Sequence, residues 1–446
     1  MSKAFILLLM FLCFCETSFS QDKFVVQNKK GTDKISFKLI NNLIIIPVEI
    51  NGVELSFLLD TGASKSILFN FLNVSDSLNI KNTKIIYLRG LGEGNSIEAL
   101  KSSGNIIKIG DAIKLNQDLF AVFDFNLNFS SKIGVPIHGI IGYDVLKDFV
   151  VEINYSKKYL TLTESKRFRY KKCRNCETLN LEFYNKKPYL NAKITIKEKE
   201  IPVKLLIDSG GSDALWLFED DDLGIVSGDN YFDDFLGHGL SGSVYGKRSK
   251  IQGFSLKSFN FKNVNAAFPD ASSIAFARQF KNRSGSISGN ILKRFNVIVD
   301  YRRALITFKK NSKFKDPFRY NKSGLELEHG GLRFVKEMDN TSSNANVFEG
   351  SKETHNSIKV VVDTKYKMSL KPAYTVVELR DGSPAHRAGV EFGDVILFIN
   401  GKPTHEYNLQ ELMAKFYERE GTRIKLTVDR EGTVLKYQFN LESVFK

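Results

Sequence analysis

Apolar residues along this chain come in short runs, and before about residue 400 almost none recur at helical spacing. Leu43 to Ile50, Ile85 to Leu88, Val150 to Ile153, Lys193 to Ile196 and Val297 to Val299 read as strands set off by turn-forming residues. Asn408 to Glu418 is the exception: Leu409, Leu412, Met413 and Phe416 fall on one face of an amphipathic helix. Arg423 to Val428 and Leu435 to Phe439 then read as closing strands. The pattern predicts a mainly β body with a small α+β end. At the start, Lys3, an apolar run from Phe5 to Phe14 and the small residues of Ser18-Phe19-Ser20 predict a signal peptide over 1–20, cleaved before Gln21. That run is too short to span a bilayer, and no later run is long enough. The expected product is exported, periplasmic or secreted, with no integral membrane segment. Cys13 and Cys15 lack the small preceding residue of a bacterial lipobox, so lipidation ranks low.

The body repeats itself. Phe57-Leu58-Leu59-Asp60-Thr61-Gly62-Ala63-Ser64 is answered by Leu205-Leu206-Ile207-Asp208-Ser209-Gly210-Gly211-Ser212. Gly142, in Gly139-Ile140-Ile141-Gly142, follows Asp60 by 82 positions, and Gly289, in Ser286-Ile287-Ser288-Gly289, follows Asp208 by 81. Asn154-Tyr155 is answered by Asp300-Tyr301. Each half also holds a glycine-rich hairpin candidate, Gly90-Leu91-Gly92-Glu93-Gly94 and Gly237-His238-Gly239-Leu240-Ser241-Gly242. A lone Asp-Thr-Gly is an ordinary turn signal. Two, in a matched repeat, predict two carboxylates brought together on a pseudo-twofold axis, an arrangement suited to acid-base chemistry on water.

On these residues, roughly from 35 to 310, the chain resembles the two-lobed pepsin-like and retropepsin-like aspartic peptidases. The shortness of the halves and the hairpin in each lean toward a fused retropepsin-like pair. The resemblance implies a β-barrel-like fold in each lobe and a catalytic dyad of Asp60 and Asp208. It makes Thr61 and Ser209 the hydroxyls that brace the dyad loops, and Gly62 and Gly210 the turn glycines. It places Gly90, Leu91 and Gly92, with Gly237 and Gly239, over an extended polypeptide substrate, the first hairpin acting as a flap. Tyr87 is the tyrosine nearest that flap. Two close carboxylates share one proton and titrate as a unit. The charged member activates a water and the neutral one protonates the scissile carbonyl, so no metal or organic cofactor is expected.

Other letters read more plainly. Gly237 to Gly242 fits a dinucleotide fingerprint by spelling, yet Ser243-Val244-Tyr245-Gly246-Lys247-Arg248 does not open a helix. A hairpin tip is expected there, with His238 an exposed loop residue. Glu219-Asp220-Asp221-Asp222 reads as a solvated loop. After the signal peptide, Cys173 and Cys176 are the only cysteines. One Cys-x-x-Cys cannot complete a zinc site, and a local disulfide is preferred over a redox role. The formal charge is +14, spread widely and densest in Lys166-Arg167-Phe168-Arg169-Tyr170-Lys171-Lys172. A solvated linker is preferred there, and no nucleic-acid partner is expected. An acidic substrate or a membrane surface also fits a basic balance.

The C-terminal part resembles a PDZ domain on Ser383-Pro384-Ala385-His386-Arg387-Ala388-Gly389-Val390, Gly393-Asp394-Val395-Ile396 and Ile399-Asn400-Gly401-Lys402. Asn400-Gly401 predicts a tight hairpin turn. The resemblance implies a peptide ligand added as a strand in the groove, with Tyr374 to Leu379 as the groove strand. The preceding Met368-Ser369-Leu370-Lys371-Pro372 departs from the usual glycine-rich carboxylate loop. Residues 339–357, rich in Asn, Ser and Thr, read as a loop. Lobes are expected over 21–165 and 179–314, with a linker over 166–178 and the PDZ domain over 315–446. The expected protein is a monomeric exported aspartic endopeptidase. Its rival is a non-catalytic peptide-binding scaffold of the cell envelope acting through the PDZ domain.

Overall fold

The computed structural model describes residues 23–123, 129–280, 282–338, 345–347, 360–362 and 366–445. The expected signal peptide, with Cys13 and Cys15, and most of 339–357 lie outside the described residues. Strands account for 53% of the chain and helices for 9%, as the scarcity of helical periodicity requires. The chain divides into two compact units, 1–128 with 136–319, and 129–135 with 320–446.

In the first unit each repeat builds a sheet around its Asp phrase. The hairpin Leu43–Ile50 and Val53–Leu59 turns on Asn51-Gly52, both at positive φ, where Asn and Gly are tolerated. Val53–Leu59 delivers Asp60, and Gly139–Ile141 runs parallel beside it. The second repeat does the same with Lys187–Ile196, Lys199–Asp208 and Gly285–Ser288. The residues just before each Asp, Phe57 to Leu59 and Leu205 to Ile207, are buried, which explains the continuous apolar run there.

A third sheet joins the lobes, in the order Cys176–Asn180, Leu305–Lys310, Phe295–Asp300, Phe149–Asn154, Tyr159–Glu164, Thr32–Ser36. At its centre Phe149–Asn154 pairs antiparallel with Phe295–Asp300, and Glu152 stands opposite Ile298. Those two strands are repeat equivalents. A strand meeting its own copy antiparallel is the mark of a local twofold axis. Val151, Ile153, Val297 and Val299 are buried there in one core continuous through both lobes.

The expected linker 166–178 ends inside structure: Cys176 begins a strand paired with Leu305–Lys310, and Cys173 and Cys176 are disulfide-bonded. The cations of the basic cluster are exposed, as expected, whereas Phe168 is buried and meets Tyr170 edge-on.

The second unit is a sheet in the order Leu325–Met338, Tyr366–Leu379, Val395–Ile399, Arg423–Arg430, Thr433–Asn440. The helix Leu409–Lys415 seals its core with Leu409, Leu412 and, just beyond its end, Phe416. Asn408 caps it, in a capping box with Glu411. Asn400 and Gly401 take positive φ between Val395–Ile399 and Lys402–Pro403. The groove strand differs from the expectation. Around Thr375, Tyr366–Leu379 has Leu325–Met338 on one side and Val395–Ile399 on the other, so the outer edge there, beside the helix, is Leu325–Met338. Met368 to Pro372 is no loop, because it pairs with Leu332 to Lys336 in a long ribbon. The ribbon leaves Phe334, Met368 and Leu370 exposed, so no buried alternation marks it as strand.

Residues 129–135, which chain order places between two first-lobe strands, belong to this second unit. Ser131 Oγ donates to Glu328 Oε2 at 3.4 Å, and Gln410 of the helix donates its side-chain amide to the carbonyl of Ile133. Gly134 sits at φ +75° with Leu409 so close that an added Cβ would stand 2.9 Å from its Cβ. This segment lies against both the edge strand and the helix.

Candidate active site

The two Asp phrases end their strands at a common point. Thr61 N–H donates to Ser209 Oγ at 3.0 Å, and Ser209 N–H donates to Thr61 Oγ1 at 2.9 Å. Each hydroxyl then donates onward across the axis, Thr61 Oγ1 to Ile207 O and Ser209 Oγ to Leu59 O, both at 2.7 Å. Four reciprocal hydrogen bonds between buried groups fix one loop against the other. A hydroxyl serves here because it accepts one bond and donates another.

Gly62 N–H donates to Asp60 Oδ1 at 2.7 Å and Gly210 N–H to Asp208 Oδ1 at 3.0 Å, orienting the carboxyls alike. A side chain is excluded at Gly210 and would be crowded at Gly62. A Cβ on Gly210 would lie 2.5 Å from Asp60 Cγ, and one on Gly62 would lie 3.2 Å from Asp60 Oδ1 and 3.4 Å from Asp208 Oδ1. Both carboxyls therefore flank the same small space. Each Asp keeps partial exposure, so the dyad opens to a cleft. Burial first, and the charge of Asp208 second, hold the Asp60 carboxyl well above the ordinary carboxylate range. Tyr301 donates its hydroxyl to Thr61 O at 3.2 Å beneath the loop.

The two glycine-rich segments are hairpin tips, one from each lobe, and they meet. Gly90 N–H donates to Ser241 Oγ at 3.1 Å, Ser241 N–H to Leu91 O at 2.9 Å and Gly94 N–H to Ser241 O at 2.7 Å. Gly92 N–H reaches Ser273 O at 3.0 Å, and Ser272 Oγ holds Glu93 Oε1 at 2.6 Å. The glycines permit this approach: a Cβ on Gly92 or Gly239 would fall within 2.6 Å or 2.2 Å of the opposing backbone. Leu91 packs among Phe218, Ile274 and Ala277 and against Leu236 and Val244 of the second lobe. Of the five residues expected over a substrate, Gly90, Leu91, Gly92 and Gly239 thus engage the opposite tip. Gly237 instead marks a bulge, where the register shifts between Phe235 and Gly237. Tyr87 is 68% exposed on the first hairpin. His238 lies in a strand beside Ser243 and Phe235, not in an open loop.

Two cations near the dyad escape a reading by motif. Burial, and then the charge of Arg283, push the Lys187 ammonium down, while Asp60 and Asp208 pull it up. Arg283 is 7% exposed and donates Nε to Gly285 O and Nη2 to Ser286 Oγ. A cavity of about 520 Å³ beside Arg283, lined by Arg278, Lys204, Phe218 and Phe280, is walled by the second lobe alone. Among the described residues no group of three His, Cys, Asp or Glu side chains is placed to hold a metal ion.

Fold and site together define a bilobal β body, with the two Asp phrases on its internal axis, and a separate C-terminal α+β domain. Comparison agrees. Residues 46–145 match the aspartyl protease family model and residues 375–430 the PDZ domain model. The two matches support a protease with a PDZ domain. No curated protein matches the sequence.

Proposed function

We propose that this protein is an exported aspartic endopeptidase in which Asp60 and Asp208 act as a proton-sharing dyad. The observation that carries the reading is the placement of both carboxyls around one small space, each oriented by the amide of its own turn glycine. The raised proton affinity of Asp60 keeps one proton on the pair at pH values where an isolated carboxylate has lost it. The ionised member takes a proton from a water held between the carboxyls as that water attacks the scissile carbonyl. The protonated member gives its proton to the carbonyl oxygen. The resulting tetrahedral diol collapses with proton transfer to the departing amine. Each such transfer is worth roughly 10²–10⁴-fold. Thr61 and Ser209 keep the two carboxyls at a fixed spacing, and closure of the two tips excludes bulk water.

Substrate enters when the tips part, and it lies extended beneath Leu91 and Ser241. The PDZ domain recruits or regulates through a peptide added at the edge strand Leu325–Met338. Any such peptide competes with residues 129–135 for the same strand and helix. Export follows from the N-terminal signal read in the sequence.

The test is cleavage of a peptide library by the purified protein across acidic to neutral pH. Wild type is expected to cleave, and Asp60→Asn and Asp208→Asn each to lose about 10² or more of kcat while keeping the folded spectrum. Wild-type turnover in either variant would refute the dyad. Peptide capture without cleavage by any form would favour the scaffold.

A further inference from the structure

The lobes repeat one another so closely that a chemical difference at equivalent positions beside the dyad carries information. In the first lobe the hairpin into Leu43–Ile50 turns through Asn41 and Asn42, and Ile40 pairs with Leu43. In the second, the hairpin into Lys187–Ile196 turns through Asn185 and Lys186, and Tyr184 pairs with Lys187. All four turn residues have positive φ.

The ladders locate the next residues. Ile45 faces Leu58, so Leu43 falls opposite Asp60; Tyr189 faces Leu206, so Lys187 falls opposite Asp208. Opposed residues share a face of the sheet. Leu43 and Lys187 are therefore equivalents, each beside one carboxyl. The lobes correspond one strand over as well, further from the carboxyls: Gly285 pairs with Leu205, which sets Arg283 five positions before Asp208 along the ladder, within electrostatic reach of it. His138 N–H bonds Ser56 O just before Gly139–Ile141, and Ser284 N–H bonds Lys204 O just before Gly285–Ser288. The residues preceding them, Ile137 and Arg283, are thus equivalent too. The first lobe places aliphatic groups at both positions, Leu43 at 7% and Ile137 at 1% exposure. The second places a cation at both.

Neither cation makes an ion pair with a carboxylate among the described residues. The Lys187 ammonium has no hydrogen-bond or ion-pair partner among the described residues. Arg283 bonds a carbonyl and a hydroxyl, rests on the Phe218 ring at 5.0 Å, and meets no carboxylate there. Lys187 feels Arg283 and both dyad carboxyls, Asp60 and Asp208, and Arg283 feels Asp208. A dyad with one shared proton carries one negative charge, so the Asp208 side of the cleft is left with a net positive charge. Burying unmatched charge is costly, and a ligand that brings the missing anion recovers that cost.

We propose that Lys187 and Arg283 form an anionic-side-chain subsite on the Asp208 half of the cleft, and that the preferred substrates are polypeptides carrying Asp or Glu beside the scissile bond. The inference rests on the peptidase reading given above. It breaks the symmetry of the fold: an extended chain presents its acidic residue to the second lobe and an apolar one to the first, which sets the direction of binding. The basic charge of the whole chain, +14, favours encounter with such substrates.

Peptides identical except for Glu or Gln at each position flanking the scissile bond test it, with kcat and KM measured separately on the full-length protein. Glu is expected to beat Gln about tenfold or more in kcat/KM at one position, the gain lying in KM. Lys187→Leu, which installs the first-lobe residue, is expected to bring the ratio to about one, and Lys187→Arg to preserve it. A wild-type ratio of one at every position, or an unchanged ratio in Lys187→Leu, overturns the proposal. Binding of the same peptides to Asp60→Asn separates the two readings. Discrimination in binding without wild-type cleavage sinks the peptidase and keeps the subsite; cleavage without discrimination does the reverse.

Discussion

Asp60 shows how a functional group works against the stability of its own fold. Its carboxyl takes up protons more readily folded than unfolded, because burial and Asp208 disfavour its charge. A group raised on folding stabilises fully below its unfolded value and loses that contribution as pH rises through the folded value. Asp60→Asn does not titrate. Thermal unfolding is therefore expected to show this variant more stable than wild type at neutral pH, with the gap closing as pH falls from about 7 to the ordinary carboxylate range. The same shift moves the alkaline limb of the pH–rate profile upward, since the shared proton is retained further toward neutrality. Thr61 is the opposite case. Thr61→Val removes a hydroxyl that both accepts from Ser209 N–H and donates to Ile207 O, leaving buried groups unpaired. A loss of about 2–4 kcal/mol is expected in denaturant unfolding, and Thr61→Ser is expected to restore most of it.

At the scale of elements, the two hairpin tips set access to the cleft. Their glycines are required because backbone meets backbone, not because the turns alone need them. Gly92→Val would drive a side chain into Ser241, at a φ of +115° that a branched residue resists. Kinetics on a long peptide are expected to show KM raised and kcat lowered together, since both positioning and exclusion of water depend on closure. Leu91→Ala, which only withdraws the anchor from Phe218 and Ile274, is expected to have the milder effect of the same sign. These elements were legible as glycine-rich hairpins, because alternation and turn residues are local signals. That they interlock was not, since no local pattern encodes what a tip touches. The PDZ edge was misplaced for a related reason. Tyr374 to Leu379 carries a stronger apolar pattern than Leu325 to Met338 because it is interior, and pattern strength reports burial rather than availability for pairing.

For the molecule as a whole, the excess of basic residues acts at long range. Exposed charges are screened over roughly 8–10 Å near physiological ionic strength. Stopped-flow binding to the Asp208→Asn variant is expected to slow with added salt for acidic peptides and to change little for neutral ones; equal salt dependence would remove steering from the account. The central sheet makes the two lobes one core, so they are expected to unfold in one transition.

The sequence by itself determined the duplication, the strands, the two Asp phrases, the C-terminal amphipathic helix and the Asn400-Gly401 turn, because spacing, alternation and turn chemistry act over a few residues at a time. Only the tertiary structure decided what stands beside what. It set Lys187 and Arg283 in one half at the positions Leu43 and Ile137 hold in the other, locked one glycine tip onto the other, and drew residues 129–135 onto the C-terminal sheet. Such contacts join residues far apart in the chain, and their energies depend on distance, burial and charge rather than on order along the polypeptide.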